Sequence, residues 1–558
     1  MSFLGKKWQI KVQEKKGTLV DKMLINRGLE DQESMYSFFN YSLSRLHDPF
    51  LLKDMQKAVD RLQEAIQNEE KIMIFGDYDV DGTSATALIY DFFQKVGANI
   101  HYRLPHREKD GYGLKDYFMQ EFKEQNVDVI ITVDCGTANK KEVALANELG
   151  MTTIITDHHD APSELPEAHA LINPKQPECP YPNKELSGSA VAYKLICAMA
   201  PLYFDEATTT RYLYDQMGLA VLGLVADCMD LNGENRVLTN NGLKSLNEGR
   251  HAGIQALLKE GGVENKPITS QTIGFFIGPR INAAGRISTA DTALELLLGD
   301  VSKAGPLAEL NQTRREIVHD FLNEAIEKVS MMDQLPHIIV VSDPQWSAGT
   351  LGLIAGRLVE KFSRPVIAMQ EKEDELVASC RSLNDFDITS FLREIGEPLF
   401  TNVGGHMLAG GFSLPQKNHQ ELLKRIQEKA SDYINLDHFY GKLDVECEVN
   451  FSDISLQTEG KLSKFEPFGM GNPQPTLMLK QVQINEVKAL GQNQDHLKFP
   501  VRHGHQEFDA IAFRFGEYLD KITPEKTYDI AFNLDVNEWR GRRKVQLRVV
   551  DMRESNVE

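Results

Sequence analysis

The stretch from Ile72 to Phe93, IMIFGDYDVDGTSATALIYDFF, sets the strongest limit on what this chain can fold into. It places Asp77, Asp79 and Asp81 on alternate residues with no cation among them. Two carboxylates about 4 Å apart repel by roughly 4 kcal/mol at an effective dielectric near 20, so such a cluster calls for a metal ion or wide solvation. The D-x-D-x-D-G pattern also opens a calcium-binding EF-hand loop. That reading fails because the twelfth loop position, where an EF-hand needs a bidentate Glu, is Leu88. The flank is wrong as well: KIMIF is a short apolar run that reads as a buried strand, whereas an EF-hand loop sits between helices. Downstream, Thr83 or Ser84 is expected to cap ATALIYDFFQKV, whose Ala87, Leu88, Ile89, Phe92 and Val96 fall at helical spacing. The aspartates therefore crown a strand-to-helix turn, where open α/β sheets place their ligands.

The alternation continues. VDVIITVD, Val127 to Asp134, is a second apolar run ending in an acid, and the helical NKKEVALANELG follows it to Gly150. MTTIITDHHD gives a third strand, ending at Asp157, His158 and His159. Strands joined by helical crossovers build a parallel sheet with every strand C-terminus on one edge. Three strands thus deliver Asp77, Asp79, Asp81, Asp134, His158 and His159 to a common rim. A fourth strand end is expected from the apolar LAVLGLVADCMDL, which reaches Asp227 and Asp230. A lone strand-end aspartate is usually a helix cap or a solvated turn residue, but four converging ends are not explained that way.

From Val301 the pattern becomes one long helix. Leu307, Leu310, Ile317, Phe321, Leu322, Ala325, Ile326 and Val329 keep three-and-four spacing while Arg314, Arg315 and Glu316 ride outside, as in a connector between lobes. A second α/β unit follows in HIIVVSD, TLGLIAGRLVEKF and RPVIAMQ. Past Asp437 the short strands AIAFRF, YDIAFNLDV and KVQLRVVDM, with Gly541 in a turn, predict a small barrel. The tail RESNVE is expected to be disordered. The predicted class is α/β, divided at residues 1–300, 301–332, 333–436 and 437–558.

A chain of 558 residues with 42% apolar composition supports three or four packed domains. The first residues lack the apolar core of a signal peptide, and no stretch stays apolar for about 18 residues. A soluble, cytoplasmic protein without membrane contact is expected. Six cysteines without C-x-x-C spacing exclude a zinc ribbon and a disulfide framework. The net charge of −20 argues against nucleic acid. That argument is weak, because carboxylates that hold cations add to it and basic patches can be local.

Carboxylates and an imidazole on one edge suit Mn²⁺ or Mg²⁺, and the absence of thiolate clusters disfavours zinc and iron–sulfur chemistry. Several bridging aspartates point to two ions. A pair about 3.5–4 Å apart activates water and neutralises both the attacking and leaving oxygens of a displacement at phosphorus. Phosphoester hydrolysis is the leading chemistry.

GDYDVDGTSA, VDCGT, TDHHD and GLVADCMDL, in this order, resemble the four motifs of the DHH phosphoesterase superfamily, and the chain from about residue 8 to residue 553 resembles its RecJ branch. The resemblance implies a parallel-sheet DHH domain, a long helix, a DHHA1-like domain and a β-barrel OB-fold. It implies an exonuclease of DNA repair and recombination that degrades single-stranded DNA from the 5′ end to 5′-mononucleotides with Mn²⁺ or Mg²⁺. Its metal ligands carry over to Asp77, Asp79, Asp81, Asp134, His158 and Asp227, with His159 beside the scissile phosphate. How the first three divide between direct and outer contacts is left open. HREKDGYGL and IGPRINAAGRI resemble phosphate-handling segments, with Arg107, Arg280, Asn282 and Arg286. SCRS and GGHMLAGG resemble the nucleic-acid-gripping domain, with Ser379, Arg381, Gly404, Gly405 and His406. Arg107, Arg280, Ser379 and Arg381 would form the pocket for the terminal 5′-phosphate.

The C-terminal region, with FEPFGMGNPQP ahead of it, resembles the OB-fold of that branch. There Arg540, Arg542, Arg543, Lys544 and Arg548 cluster around Trp539, offering cations for backbone and an aromatic for bases. The sequence departs from the branch at Ser347, where a histidine is usual, and at Gly410, where an alanine is usual. The implied partners are single-stranded DNA, a single-strand-binding protein and a RecQ-type helicase, with the chain acting as a monomer. Two rivals remain: a phosphodiesterase of short oligonucleotides or nucleotides, and a non-catalytic DNA-binding scaffold.

Overall fold

Apolar runs without polar interruption form strands buried on both faces. Ile72–Gly76 and Val129–Val133 are buried at every position. The computed structural model, which describes residues 2–11, 17–383, 386–434, 441–491, 493–539 and 541–555, sets them at the heart of a five-stranded parallel sheet. Its order is Ile100–Arg103, Ile72–Gly76, Val129–Val133, Thr152–Thr156 and Ala170–Ile172. In register, Gly76 faces Val133 and Val133 faces Thr156. The residues that follow, Asp77, Asp134 and Asp157, are therefore level along one edge.

The helix after the first strand runs Val80–Lys95, starting ahead of the expected cap at Thr83 or Ser84. Asp79 is the cap: its carboxylate accepts from the Asp81 and Gly82 N–H groups at 2.9 and 3.1 Å. Thr83 turns its hydroxyl back to the Asp79 carbonyl at 2.6 Å instead. An aspartate at this position outcompetes a threonine because its charge faces the positive end of the helix. The segment reaching Asp227 also differs from expectation. It is the end of a helix, Glu206–Ala226, with Asp227 as the C-cap, not a strand end. A continuous apolar run does not distinguish a buried strand from a buried helix. Here the run is buried by packing against the Val80 helix and the helix Gly188–Met199.

The connector is a helix of 27 residues, Ala304–Ser330, about 40 Å long. It leads to a second sheet ordered Asn402–His406, Ala409–Pro415, Glu375–Arg381, Val366–Glu371 and Ile339–Asp343. Only the last two strands pair in parallel. The helix Ala348–Phe362 crosses between them. The third unit is a seven-stranded sheet in which Leu477–Gln483 pairs with Thr527–Trp539 and also, through Gln483 and Arg502, with His496–His503, closing a barrel. Arg553 and Glu554, expected in a disordered tail, complete the last strand opposite Asp529 and Tyr528; residues 556–558 lie outside the described residues.

The described residues among the first forty, expected in one unit with the catalytic region, pack on the barrel. Lys7–Ile10 pairs in parallel with Lys442–Val445, and Met23, Leu29 and Phe38 sit in the barrel's apolar core. Arg236, on the helix Gly233–Asn247 of the catalytic unit, is buried to 2% exposure at this joint. It donates to the carbonyls of Phe38, Phe465 and Glu466 at 2.9, 2.8 and 2.7 Å and lies 3.7 Å over the Phe38 ring. Among the described residues no helix is long and apolar enough to cross a membrane. Replacing Arg236 with alanine removes the donor to the Phe38 carbonyl and one of two donors to the Phe465 and Glu466 carbonyls, which keep Asn472 and Tyr41, so Arg236→Ala should cost about 2 kcal/mol of stability. Denaturant unfolding checks it, and a loss below about 1 kcal/mol would contradict this role for the joint.

Candidate metal centre

The level strand ends place their acids within reach of one another, and the neighbouring glycines let them come closer still. A Cβ on Gly82 would lie 2.6 Å from the Asp77 carbonyl oxygen, so the aspartate turn closes only around glycine. Asp81 points into the protein and accepts from the Gly188 and Ser189 N–H groups at 2.6 and 2.9 Å, the positive end of the Gly188 helix. A Cβ on Gly223 would lie 1.8 Å from the Asp81 Oδ1, and one on Gly188 would lie 2.6 Å from the Asp134 Oδ1. Asp134 itself has a φ of +61°, a left-handed conformation that costs a non-glycine residue about 1 kcal/mol.

His158 Nε2 stands 3.1 Å from Asp134, 3.6 Å from Asp227 and 3.7 Å from Asp81. Donor atoms of Asp81, His158 and Asp227 lie within 4.8 Å of one another, as do those of Asp77, Asp79 and Asp134. All six expected ligands therefore meet on the rim. Asp230 does not join them; its carboxylate accepts from the Asn232 N–H at 2.8 Å and packs against Gly471.

Charge is badly balanced here. Burial, and then the neighbouring carboxylates, push Asp77, Asp79 and Asp134 above the ordinary carboxylate range. Burial with the charges of Asp81 and Asp79 pushes Asp227 up to about 8. Asp77 Oδ1 and Asp134 Oδ1 are buried and accept no hydrogen bond among the described residues. Oxygen donors with one imidazole, two of them orphaned, fit hard divalent ions such as Mn²⁺ or Mg²⁺.

Asp157 was read only as a strand end, and it organises the histidines. It accepts from the N–H groups of Thr137, His158 and His159 at 2.9, 2.7 and 3.2 Å, and from His159 Nδ1 at 2.7 Å. Burial raises Asp157, but the hydrogen bond and charge of His159 outweigh it and hold the carboxyl below its usual range. In return, His159 is pushed up to about 9, Asp157 overcoming the effect of burial. The Tyr112 hydroxyl reaches the Asp134 carbonyl and the His159 ring, each at 3.2 Å. Both helpers lie inside quoted motifs, yet alternation alone does not reveal which way they point. Gly188 and Ser189, the partners of Asp81, carry no signal that the sequence reading picked out.

Beside the acids lies a basic pocket. The Arg107 guanidinium stacks 4.5 Å from the Tyr78 ring. Arg286 donates to the Gly349 carbonyl at 2.6 Å, and Arg381 donates to Ser379 Oγ at 3.2 Å. A Cβ on Gly352 would come within 2.8 Å of Arg381 and 3.1 Å of Ser379, so the first turn of the Ala348 helix forms one wall. Burial, then the charges of Arg107 and Arg314, bring Arg286 down to about 9. Arg107, Arg286 and Arg381 form no ion pair among the described residues.

Arg280, expected in this pocket, lies elsewhere: its guanidinium is 3.5 Å over the Phe276 ring and donates to the Phe276 carbonyl. Arg286, six residues on, takes its place, because residues six apart on a helix face different sides. Asn282 accepts from the Val80 N–H at 3.2 Å and ties its helix to the aspartate turn. His406 faces Asp160 across the cleft at 3.7 Å. Gly404 and Gly405 pair with Gly411 and Gly410, and a side chain on Gly410 would meet Thr389 Oγ1 at 2.7 Å, which accounts for glycine there. Ser347 caps the Ala348 helix without a side-chain bond to its backbone. Arg542 and Arg543 stand exposed on the barrel hairpin. Arg540 and the side chain of Trp539 lie outside the described residues.

A parallel sheet with an acid rim, followed by a second α/β unit that closes over it, defines a phosphoesterase of the DHH class. Residues 71–224 match the DHH family N-terminal domain, residues 335–432 the DHHA1 domain and residues 445–551 the RecJ OB domain. The chain is 32% identical over 553 residues to the single-stranded-DNA-specific exonuclease RecJ of Haemophilus influenzae, covering 95% of each. It is 34% identical over 540 residues to that of Bacillus subtilis, covering 96% of this chain and 67% of the relative. The crystal structure of RecJ in complex with Mn²⁺ from Thermus thermophilus superposes with a TM-score of 0.82 at 25% identity, over 99% of this chain and 80% of the other. The chain belongs to the RecJ family.

Gly223→Ala is the sharpest test of the acid geometry, since its methyl must displace Asp81. It should weaken Mn²⁺ binding by about tenfold or more. Titration calorimetry that finds unchanged affinity would rule out this placement of Asp81.

Proposed function

We propose that the chain is a metal-dependent exonuclease specific for single-stranded DNA, which it degrades from the 5′ end to 5′-mononucleotides in DNA repair and recombination. The carrying observation is the pairing of two unbalanced clusters: buried carboxylates short of positive charge, and arginines without carboxylate partners beside them. Asp77, Asp79, Asp81, Asp134, His158 and Asp227 would hold two ions, Mn²⁺ or Mg²⁺. Such ions supply activated water and neutralise the reacting oxygens of the phosphodiester.

The chain's own residues do the rest. Asp157 keeps His159 charged and aimed, so that its imidazolium can donate to the scissile phosphate. Tyr112 braces the same ring. Arg107, Arg286, Arg381 and Ser379 would bind the terminal 5′-phosphate, since guanidinium forks match phosphate oxygens. A terminal phosphate held at one point places the next phosphodiester at the acids, and cleavage of its 3′-O–P bond leaves a new 5′-phosphate for the following round. The barrel with its basic hairpin favours a polymer over a free nucleotide. A single-strand-binding protein and a RecQ-type helicase belong to the same proposal as partners, checked by direct binding.

Strands labelled separately at each end, digested with Mn²⁺ or with EDTA beside a duplex control, test polarity and metal dependence together. Release from the 3′ label first, or full activity in EDTA, would overturn the reading. Asp134→Ala should lower hydrolysis at least about 100-fold while sparing strand binding. Arg381→Ala should reduce the preference for 5′-phosphorylated over 5′-hydroxyl ends about tenfold, the loss of one charge-assisted bond; an undiminished preference would remove Arg381 from the pocket.

A further inference from the structure

One expected ligand is held differently from the rest. Asp77, Asp79, Asp81, Asp134 and His158 follow the strands Ile72–Gly76, Val129–Val133 and Thr152–Thr156, whereas Asp227 caps the C-terminus of the helix Glu206–Ala226. Pairs of N–H groups hold the Asp79 and Asp81 carboxylates. The Asp227 carboxylate accepts no hydrogen bond among the described residues and is 38% exposed. Its aim is therefore set by its backbone.

That backbone reverses at once. The Met229 N–H bonds the Leu224 carbonyl at 3.0 Å and the Cys228 N–H the Val225 carbonyl at 3.3 Å, a Schellman turn. Cys228 takes its left-handed position, φ +56°, where glycine is usual and another residue costs about 1 kcal/mol. The turn is held from outside, by the motif FEPFGMGNPQP ahead of the barrel. The Leu231 N–H donates to the Met470 carbonyl at 3.0 Å, and the Asn232 side chain donates to the Gly471 carbonyl at 3.1 Å. A Cβ on Gly471 would lie 2.3 Å from Asp230 Oδ1, and one on Gly469 would lie 2.5 Å from Leu231 Cδ1. The motif itself is pinned. Gly469 and Asn472 exchange backbone hydrogen bonds at 2.9 and 3.2 Å. The buried Asn472 side chain donates to the Phe465 and Pro467 carbonyls at 2.7 and 2.9 Å and accepts from Arg27 Nε at 2.8 Å. Arg27 is in turn paired with Glu446 at 2.9 Å, both almost wholly buried. A rigid loop thus meets the chain four residues after a metal ligand.

We propose that residues 469–472 are a positioning loop for Asp227: the Met470 and Gly471 carbonyls and the close faces of two glycines fix the turn 228–232, and with it the direction of this carboxylate. The loop acts on the donor group Asp81, His158 and Asp227 and not on the group Asp77, Asp79 and Asp134. One of two ion sites therefore depends on a segment more than two hundred residues away in sequence. This rests on the two-ion reading above.

The test is Mn²⁺ titration calorimetry on the full chain, stripped with EDTA and dialysed, with denaturant unfolding beside it. Gly471→Ala should weaken one of two Mn²⁺ sites about tenfold or more and leave the other unchanged. Its hydrolysis of single strands should recover as Mn²⁺ is raised, with KM for the strand unchanged. If that variant does not fold, Asn232→Ala carries the test, since this residue is exposed and its side chain bonds Gly471; it should weaken the same site about fivefold, one hydrogen bond. Lost stability with both Mn²⁺ affinities unchanged overturns the role of the loop, because a brace for the fold alone gives that result. Equal weakening at both sites overturns it as well. An unmodified chain that takes up fewer than two ions overturns the two-ion reading before any variant is compared, and the positioning loop with it.

Discussion

Repulsion among buried carboxylates is the constraint on which the rest depends. The five aspartates and one histidine expected as ligands meet at one edge of the first sheet, and at an effective dielectric near 20 each close pair of carboxylates costs several kcal/mol. The fold offsets this in part with fixed dipoles. The Gly188 helix aims two N–H groups at Asp81, and the Val80 helix aims two at Asp79. Asp77 and Asp134 receive no such help on their inward oxygens. What remains is a deficit of positive charge at one point, and divalent ions match it in both charge and donor preference.

Holding that deficit in place requires close packing. Gly188 and Gly223 stand where any side chain would strike Asp134 or Asp81, and Gly285 stands where a Cβ would come 2.6 Å from the Tyr78 carbonyl. Three helices therefore approach the acid rim by backbone and not by side chain. The last of these carries Arg286 to the Gly349 carbonyl and Arg280 onto the Phe276 ring, so one helix turns its two arginines to different sides. A rigid seat for the metals and the position of the arginines are consequences of the same contacts.

Much of this was legible in the sequence because the signals were local. An apolar five-residue run ending in aspartate reads as a strand with an acid at its tip, and register in a parallel sheet follows from that. Asp77, Asp134 and the Asp157–His159 strand end emerged this way, and the set of six expected ligands came from the motif resemblance. The misreadings share a cause. Asp79 caps its helix, Asp227 ends a helix and Arg286 replaces Arg280, and each depends on which way a residue faces once distant helices dock. The role of Asp157 is similar, since its neighbours in space include Thr137, twenty residues earlier. The pairing of the first strand with Lys442–Val445 spans most of the chain, and no local pattern encodes it.

The net charge of −20 looked like an argument against nucleic acid, and the structure explains why it is not. Acidic residues that gather around the metal centre attract cations, while most other carboxylates lie on outer surfaces, many in ion pairs with lysine. The arginines facing the cleft are the ones left unpaired. A strand phosphate therefore meets local positive potential within a Debye length of about 8 Å, the distance over which salt leaves any field to feel. Separation of the two signs, and not their sum, determines where a polyanion can lie.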